Sequence, residues 1–248
     1  ARLIPSSPIP RGWLPRACRP PQYAYLYPTE EARLLGNRGV PLVYRVLIGF
    51  LAREGVRKSN AQQLRWACLT LEGLGECAGT CTIPRTKNRQ AQTWPLDKGT
   101  VEALRRWRKL CPSGELVFPD PDVPENAPRM AVDVRHLAAQ LRRWLKATGI
   151  SRQALYTRSS TEMPFRAHDL RASFVTLALG MGQTEHWVMQ RTGHLSSVML
   201  ARYRRAASTA AELHLGWFHP MQECIPELAE AVAHEPTGAQ SSANRRQG

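Results

Sequence analysis

The chain has 248 residues and a formal net charge of +14 at pH 7, because 34 Lys and Arg residues stand against 20 Asp and Glu residues. This excess favours a polyanionic partner such as nucleic acid, with a basic structural protein of ribosomal type as the alternative. The sequence contains no apolar run of about 18 residues, which a membrane span would need, and its first residues do not have the pattern of a signal peptide.

The N-terminal segment, residues 1–26, contains six prolines among arginines, which is typical of an extended linker without a core of its own. Its first residue is Ala rather than Met, so we interpret the chain as a fragment that lacks an N-terminal part. A helical domain is predicted to begin near Pro28, with Thr29 as its candidate cap. Apolar residues recur at helical spacing over 43–51, and Gly55 predicts the end of that helix.

The middle of the chain changes in pattern. Residues 80–84 and 92–96 predict two short strands around a polar turn, and residues 69–72 predict a third strand. Residues 101–110 predict a return to helix, and residues 134–145 have the apolar spacing of an amphipathic helix.

The C-terminal third predicts three more helices: one with the apolar stripe Leu170, Phe174, Leu177 and Met181, a shorter one capped by Thr184, and one that carries Tyr203. The composition from residue 236 onward is small and polar, which is typical of disorder. The predicted fold class is therefore mainly α with a small antiparallel β-sheet (α+β).

The residues with the clearest chemical meaning lie in the same third. His168 and Arg171 are one helical turn apart, so both side chains can project from one helix end. His194 follows Gly193, where a helix should end, and Tyr203 lies nine residues further on. Each residue alone has an ordinary surface or packing role as its alternative. Together, cations beside a phenol suggest phosphoryl transfer through a covalent tyrosine.

The order and spacing of these residues resemble a known pattern. The run His168-Asp-Leu-Arg171, then Gly193-His194, then Tyr203 is similar to the C-terminal motif of the tyrosine recombinase (phage integrase) family. The resemblance covers residues 27–215 and implies that they form a catalytic domain of this type.

Two upstream elements fit the same family. Arg57 precedes a Leu-Arg-Trp element by the expected interval, and Lys87 lies eight residues before Pro95 in the polar turn between the predicted strands. One position departs from the pattern, because Asn60 stands where the family often has an acid. Asn can accept a hydrogen bond but brings no charge, so the surroundings of Arg57 are expected to differ.

The resemblance implies a site-specific DNA recombinase or integrase that cleaves and rejoins strands through a 3′-phosphotyrosine, without metal or ATP. The implied catalytic residues are Tyr203 as nucleophile, Arg57, Lys87, His168, Arg171 and His194. The two arginines and His194 would bind the phosphoryl oxygens, His168 would accept or orient a proton, and Lys87 would protonate the leaving 5′ oxygen.

The resemblance also implies partners and domain organisation. We expect double-stranded DNA as substrate, a homo-tetramer on that DNA, and residues 1–26 as the linker from a missing DNA-clamping domain. Residues 216–248 would be a tail that docks either on a neighbouring protomer or on its own domain. The basic residues expected to contact DNA are Arg85, Arg89, Arg135, Arg142, Arg143 and Lys146.

Several alternatives remain open at this stage. A solvated helix face is the alternative for the basic residues of the amphipathic helix. The six Cys lack the spacing of a zinc site, so we expect no metal, no cofactor and a cytoplasmic, DNA-associated protein. Asn60 leaves room for a catalytically weak DNA-binding accessory protein, and a type IB topoisomerase would share the same chemistry.

Overall fold

The computed structural model describes residues 23–230, except 74, 85–90, 113, 125–126, 129, 160–161 and 195. The helices it defines are α1 (Pro28–Gly36), α2 (Leu42–Glu54), α3 (Lys58–Gln62), α4 (Lys98–Leu110), α5 (Leu137–Ala147), α6 (Ala167–Gly180), α7 (Glu185–Thr192), α8 (Ala201–Glu212), α9 (Met221–Cys224) and α10 (Pro226–Glu230). The strands are β1 (Leu69–Thr70), β2 (Thr80–Ile83) and β3 (Gln92–Pro95). A mainly helical fold with a small sheet is therefore confirmed.

The sheet has the predicted antiparallel form, in the order β1-β2-β3. Cys81 pairs with Leu69 on one side and with Trp94 on the other. Cys81 and Trp94 are buried, whereas Thr82 and Thr93 face outward and share a hydrogen bond of 3.0 Å. One face of the sheet therefore closes the core, as the alternation of residues predicts.

Helix α6 packs against α2, α7 and α8 and so lies at the centre of this part of the fold. Its side chains are buried almost throughout, including Leu170, Phe174 and Leu177. Gly55 ends α2 with φ 62°, a left-handed conformation, and the Phe174 ring lies only 2.4 Å from where a Cβ would stand. A side chain at this position would meet both strain and a clash, so Gly55 fixes how α2 approaches α6.

The end of the predicted linker belongs to the core, which corrects its boundary. Tyr25 and Leu26 are buried, and the Leu26 backbone N–H donates to Ser173 Oγ on α6 at 2.9 Å. The cap predicted at Thr29 is also wrong, because α1 begins at Pro28 and its N-cap is Tyr27, two residues before Thr29. The sequence of the proline-rich segment does not predict these contacts, because the partner residues lie far along the chain.

The first part of the predicted tail folds back on its own domain. Met221, Ile225 and Leu228 are fully buried, and α9 packs against α1 and α4. Arg45 of α2 makes a two-pronged ion pair with Glu227 at 2.7 and 2.6 Å, and Arg53 donates to the His219 carbonyl at 2.5 Å. Residues 216–230 therefore pack on their own domain, which is one of the two predicted arrangements, and 231–248 lie outside the described residues.

Glu54, the last residue of α2, ties the sheet to α4. Its carboxylate accepts from Trp94 Nε1 at 2.8 Å and from the Asp97 backbone N–H at 3.1 Å. The carboxyl is fully buried, and this burial raises its pKa to about 7, although both hydrogen bonds favour the charged form.

The titration of Glu54 predicts a pH dependence of stability. The folded protein holds the Glu54 proton more tightly than the unfolded chain, whose pKa is near 4.5. We therefore expect this group to lower the free energy of unfolding as pH rises from about 4.5 to about 7, by roughly 1–3 kcal/mol in total. Urea unfolding of the wild type and of Glu54→Gln at pH 5 and pH 8 tests this expectation. Any loss of packing caused by the amide is independent of pH. If the free energy of unfolding changed equally between pH 5 and pH 8 in both proteins, Glu54 would not be the cause.

Candidate active site

Five of the residues predicted from the sequence lie at helix ends that meet around α6. His168 and Arg171 occupy the first turn and a half of α6, and Arg57 is the N-cap of α3. Gly193 ends α7 with φ 64°, which turns the chain and brings His194 toward Arg171. Tyr203 lies in the first turn of α8 and packs in a cluster with residues of α6.

Arg171 joins three segments of the chain. Its Nη1 donates to the Gly55 carbonyl at 2.7 Å, and its Nη2 donates to the Thr192 carbonyl at 2.5 Å and contacts His194 Nε2 at 3.2 Å. The side chain is 2% exposed, and its Nε has no hydrogen-bond partner among the described residues. Burial, followed by the charge of Arg57, lowers its pKa to about 10, so the guanidinium remains charged at pH 7 with a donor to spare.

Both histidines are neutral in this arrangement. Desolvation and then the charges of Arg171 and its neighbours lower the pKa of His194 to about 3 and that of His168 to about 4. His168 is nevertheless exposed and His194 half-buried, so the crowding cations explain the direction for His168 better than burial does. The positive charge of the site at neutral pH therefore comes from its arginines.

Tyr203 is 3% exposed, and its ring centroid lies 6.4 Å from that of His194. Burial, followed by the neighbouring Tyr23, raises its pKa above the usual value of 10, while Arg171 and Arg202 act in the opposite direction. The phenol is thus protonated at pH 7 and needs a proton acceptor before it can act as a nucleophile.

Tyr23 is a site residue that no pattern in the sequence indicates. Its ring stacks on Tyr203 with centroids 5.8 Å apart and an interplanar angle of 22°, and it meets His168 edge-on at 6.3 Å. Arg202 donates to its hydroxyl at 2.7 Å, and the Arg166 guanidinium lies 5.4 Å from its ring centroid. An aromatic ring therefore occupies the middle of a cationic cluster and shields Tyr203.

Replacing Tyr23 by Ala is expected to lower the pKa of Tyr203 toward 10. The substitution removes the neighbour that both buries the phenol and opposes its ionisation. The pKa of Tyr203 is obtained by titrating tyrosinate absorbance against pH, in the wild type and in Tyr23→Ala. In each case the titration of the same protein with Tyr203→Phe is subtracted. Tyr23→Phe keeps the stacked ring and serves as the matched control, with a smaller decrease expected. A Tyr203 pKa that does not change in the Ala variant would show that the stack is incidental.

Lys87 and the flanking Arg85 and Arg89 lie outside the described residues, so their roles stay predictions. The base of their hairpin is nevertheless described. Gln92, the first residue of β3, donates to the carbonyls of Gln190 and Arg191 at 2.5 and 2.7 Å. The first residue of β3 therefore lies beside the end of α7, close to Gly193.

The basic residues predicted on and near α5 do not form one free face. Arg135 pairs with Asp133 at 3.1 Å on the surface, and Arg142 donates to the Phe165 carbonyl at 2.8 Å. Phe165 lies just before the start of α6, so Arg142 is bonded to the segment that leads into this helix. Lys146 is exposed with its ammonium 5.1 Å from the Tyr156 ring centroid, and Arg143 is exposed. Contact between these residues and DNA remains a prediction.

None of the helices in the described part of the chain is both long enough and apolar enough to cross a membrane. The fold resembles several solved recombinases. XerA recombinase matches with a TM-score of 0.58 and 19% identity over 85% of this chain and 70% of that one. XerH site-specific recombinase bound to palindromic difH substrate matches with a TM-score of 0.57 and 23% identity over 82% of this chain and 55% of that one.

The lambda integrase tetramer bound to a Holliday junction gives a TM-score of 0.57 and 16% identity, over 78% of this chain and 51% of that one. The chain thus spans about half of the XerH and lambda integrase chains. No curated protein matches it. The model of the phage integrase family matches residues 25–209, which is most of the chain and contains every candidate catalytic residue. The chain therefore belongs to the phage integrase family.

Proposed function

We propose that this protein is a site-specific DNA recombinase that cleaves and rejoins strands through a 3′-phosphotyrosine on Tyr203. The observation that carries the proposal is the position of the buried Arg171. It bonds to the Gly55 carbonyl, two residues before Arg57, and contacts His194, whose ring lies beside that of Tyr203. Fixed cations around a phenol suit a reaction in which charge builds up on the non-bridging oxygens of a phosphodiester.

The proposed reaction exchanges one phosphoester bond for another. The Tyr203 oxygen attacks phosphorus, the bond from phosphorus to the 5′ oxygen breaks, and the phosphate stays on the 3′ strand as a tyrosyl ester. His168 is neutral and can accept the phenol proton, and Lys87 supplies a proton to the departing 5′ oxygen. Because the ester conserves the energy of the broken bond, a 5′ hydroxyl can reverse the step without ATP.

Arg57 and Arg171 neutralise the phosphoryl oxygens during this reaction. Planar guanidinium groups can each offer two N–H donors to a phosphate, which a single ammonium cannot do in the same geometry. The free Nε donor of Arg171 supports this role, and burial strengthens its interaction with an anion.

The proposed partners are double-stranded DNA and further copies of this chain. The net charge of +14 supports binding to a polyanion. Among the structural neighbours, XerH was solved with a difH substrate and lambda integrase as a tetramer on a Holliday junction. By analogy we propose a homo-tetramer on DNA, with the hairpin arginines Arg85 and Arg89 along the duplex.

A pool of nicked suicide duplexes with a randomised centre tests the function and finds the target sequence at once. Incubation in EDTA should give a protein–DNA adduct that survives denaturant, with the 3′ phosphate on the peptide that contains Tyr203. Sequencing the trapped strands then defines the site. Binding of DNA without any adduct would favour a catalytically weak accessory protein, which is the alternative that Asn60 leaves open. Relaxation of supercoils without strand exchange between two labelled duplexes would favour a type IB topoisomerase.

A further inference from the structure

Thr192, the last residue of α7, touches both His194 and Arg171. It is 1% exposed, and its backbone carbonyl accepts from Arg171 Nη2 at 2.5 Å. Its hydroxyl oxygen lies 2.6 Å from the Val188 carbonyl and 2.8 Å from His194 Nδ1. One side chain thus contacts the imidazole while its backbone holds the guanidinium.

The direction of these hydrogen bonds follows from counting protons. A carbonyl can only accept, so the single hydroxyl proton of Thr192 points to Val188. The hydroxyl oxygen must then accept from His194, which places a proton on Nδ1. The other ring nitrogen, Nε2, faces Arg171 Nη2 at 3.2 Å, and a guanidinium can only donate. Both contacts require the same tautomer of a neutral ring.

We propose that Thr192 is a positioning residue that fixes His194 in the tautomer with its proton on Nδ1, so that Nε2 is a hydrogen-bond acceptor in the free protein. The hydroxyl acts through His194 and does not touch the reacting phosphate. The assignment of the tautomer does not depend on the proposed function, whereas its catalytic consequence does.

The consequence concerns how His194 can serve the proposed reaction. Its Nδ1 proton is donated to Thr192. The ring can therefore donate to a phosphoryl oxygen only after the hydrogen bond from Arg171 to Nε2 breaks and Nε2 takes up a second proton. The negative phosphate would favour the doubly protonated, charged form of the ring. The charged and titratable groups that already surround the ring oppose this form. These groups are Arg171, Arg57, His168 and Arg202.

Nitrogen NMR of histidine-labelled protein without DNA tests the tautomer directly, with the His194 signals assigned from a His194→Gln variant. Wild type and Thr192→Ser should show a protonated Nδ1 and a bare Nε2 at pH 7. Thr192→Val keeps the shape but removes the acceptor, so the proton should move to Nε2 and the contact with Arg171 should be lost. Thr209→Val is the matched control, because Thr209 makes the same backward bond to a helix carbonyl, Arg205, with no histidine on it.

The second measurement is the rate of adduct formation on the suicide duplex. Thr192→Val should be at least about tenfold slower, and Thr192→Ser should recover most of the rate. A wild-type proton on Nε2, or an unchanged tautomer in Thr192→Val, would overturn the proposal. If no protein forms an adduct while NMR shows the expected tautomers, the proposed function fails and the role of Thr192 stands.

Discussion

Tyr203→Phe is expected to abolish the covalent adduct with DNA while leaving the fold and DNA binding intact. The substitution removes only the phenolic oxygen, which is the proposed nucleophile, and leaves the ring in its cluster with residues of α6. The ring, and with it the stack on Tyr23, is retained. Stability should therefore change by no more than about 0.5 kcal/mol.

Gel analysis of the suicide-duplex reaction under denaturing conditions, together with a binding isotherm for each protein, measures this effect. Tyr156→Phe is the control, since Tyr156 donates to the Ile150 carbonyl at 2.5 Å away from the site. That variant should lose about 1 kcal/mol of stability and keep its adduct. An adduct of equal yield in Tyr203→Phe would show that another residue is the nucleophile.

Arg171→Lys is expected to slow adduct formation by roughly 10²–10³-fold even though the charge is kept. An ammonium is a single point, so it cannot reach the Gly55 carbonyl, the Thr192 carbonyl and His194 together while also offering a donor to the phosphate. The ends of α2 and α7 would then lose their shared partner.

Single-turnover rates at saturating DNA separate this loss from weaker binding. Arg33→Lys is a suitable control, because Arg33 also donates to two backbone carbonyls, those of Thr148 and Gly149, but lies on the surface outside the site. Its rate should equal that of the wild type. If Arg171→Lys cleaved as fast as this control, a bidentate role for Arg171 would be ruled out.

Much of the site could be predicted from the sequence because local rules place its residues. Glycines at helix ends, such as Gly193, turn the chain in a known way, and the interval between His168 and Arg171 puts both on one end of α6. The three strands followed from short alternating runs around polar turns. These features depend on neighbours within a few residues.

The features that escaped prediction depend on partners far along the chain. Tyr23 lies 180 positions before Tyr203, and nothing in a proline-rich segment indicates which ring it will meet. Likewise Arg45 and Glu227 are 182 positions apart, so their pairing, which fixes the C-terminal segment on its own domain, has no local signal. The proposed tautomer of His194 rests on distances between atoms, because residue spacing does not reveal where a proton lies.

The last two residues of helix α2 and the glycine that caps it hold three different parts of the protein. Arg53 bonds to the segment after α8, Glu54 to the sheet, and the Gly55 carbonyl to Arg171. A helix advances by about 100° per residue, so adding or deleting one residue within α2 would rotate all three attachments away from their partners at once. The number of residues in this helix is therefore more tightly constrained than the identity of most side chains along it.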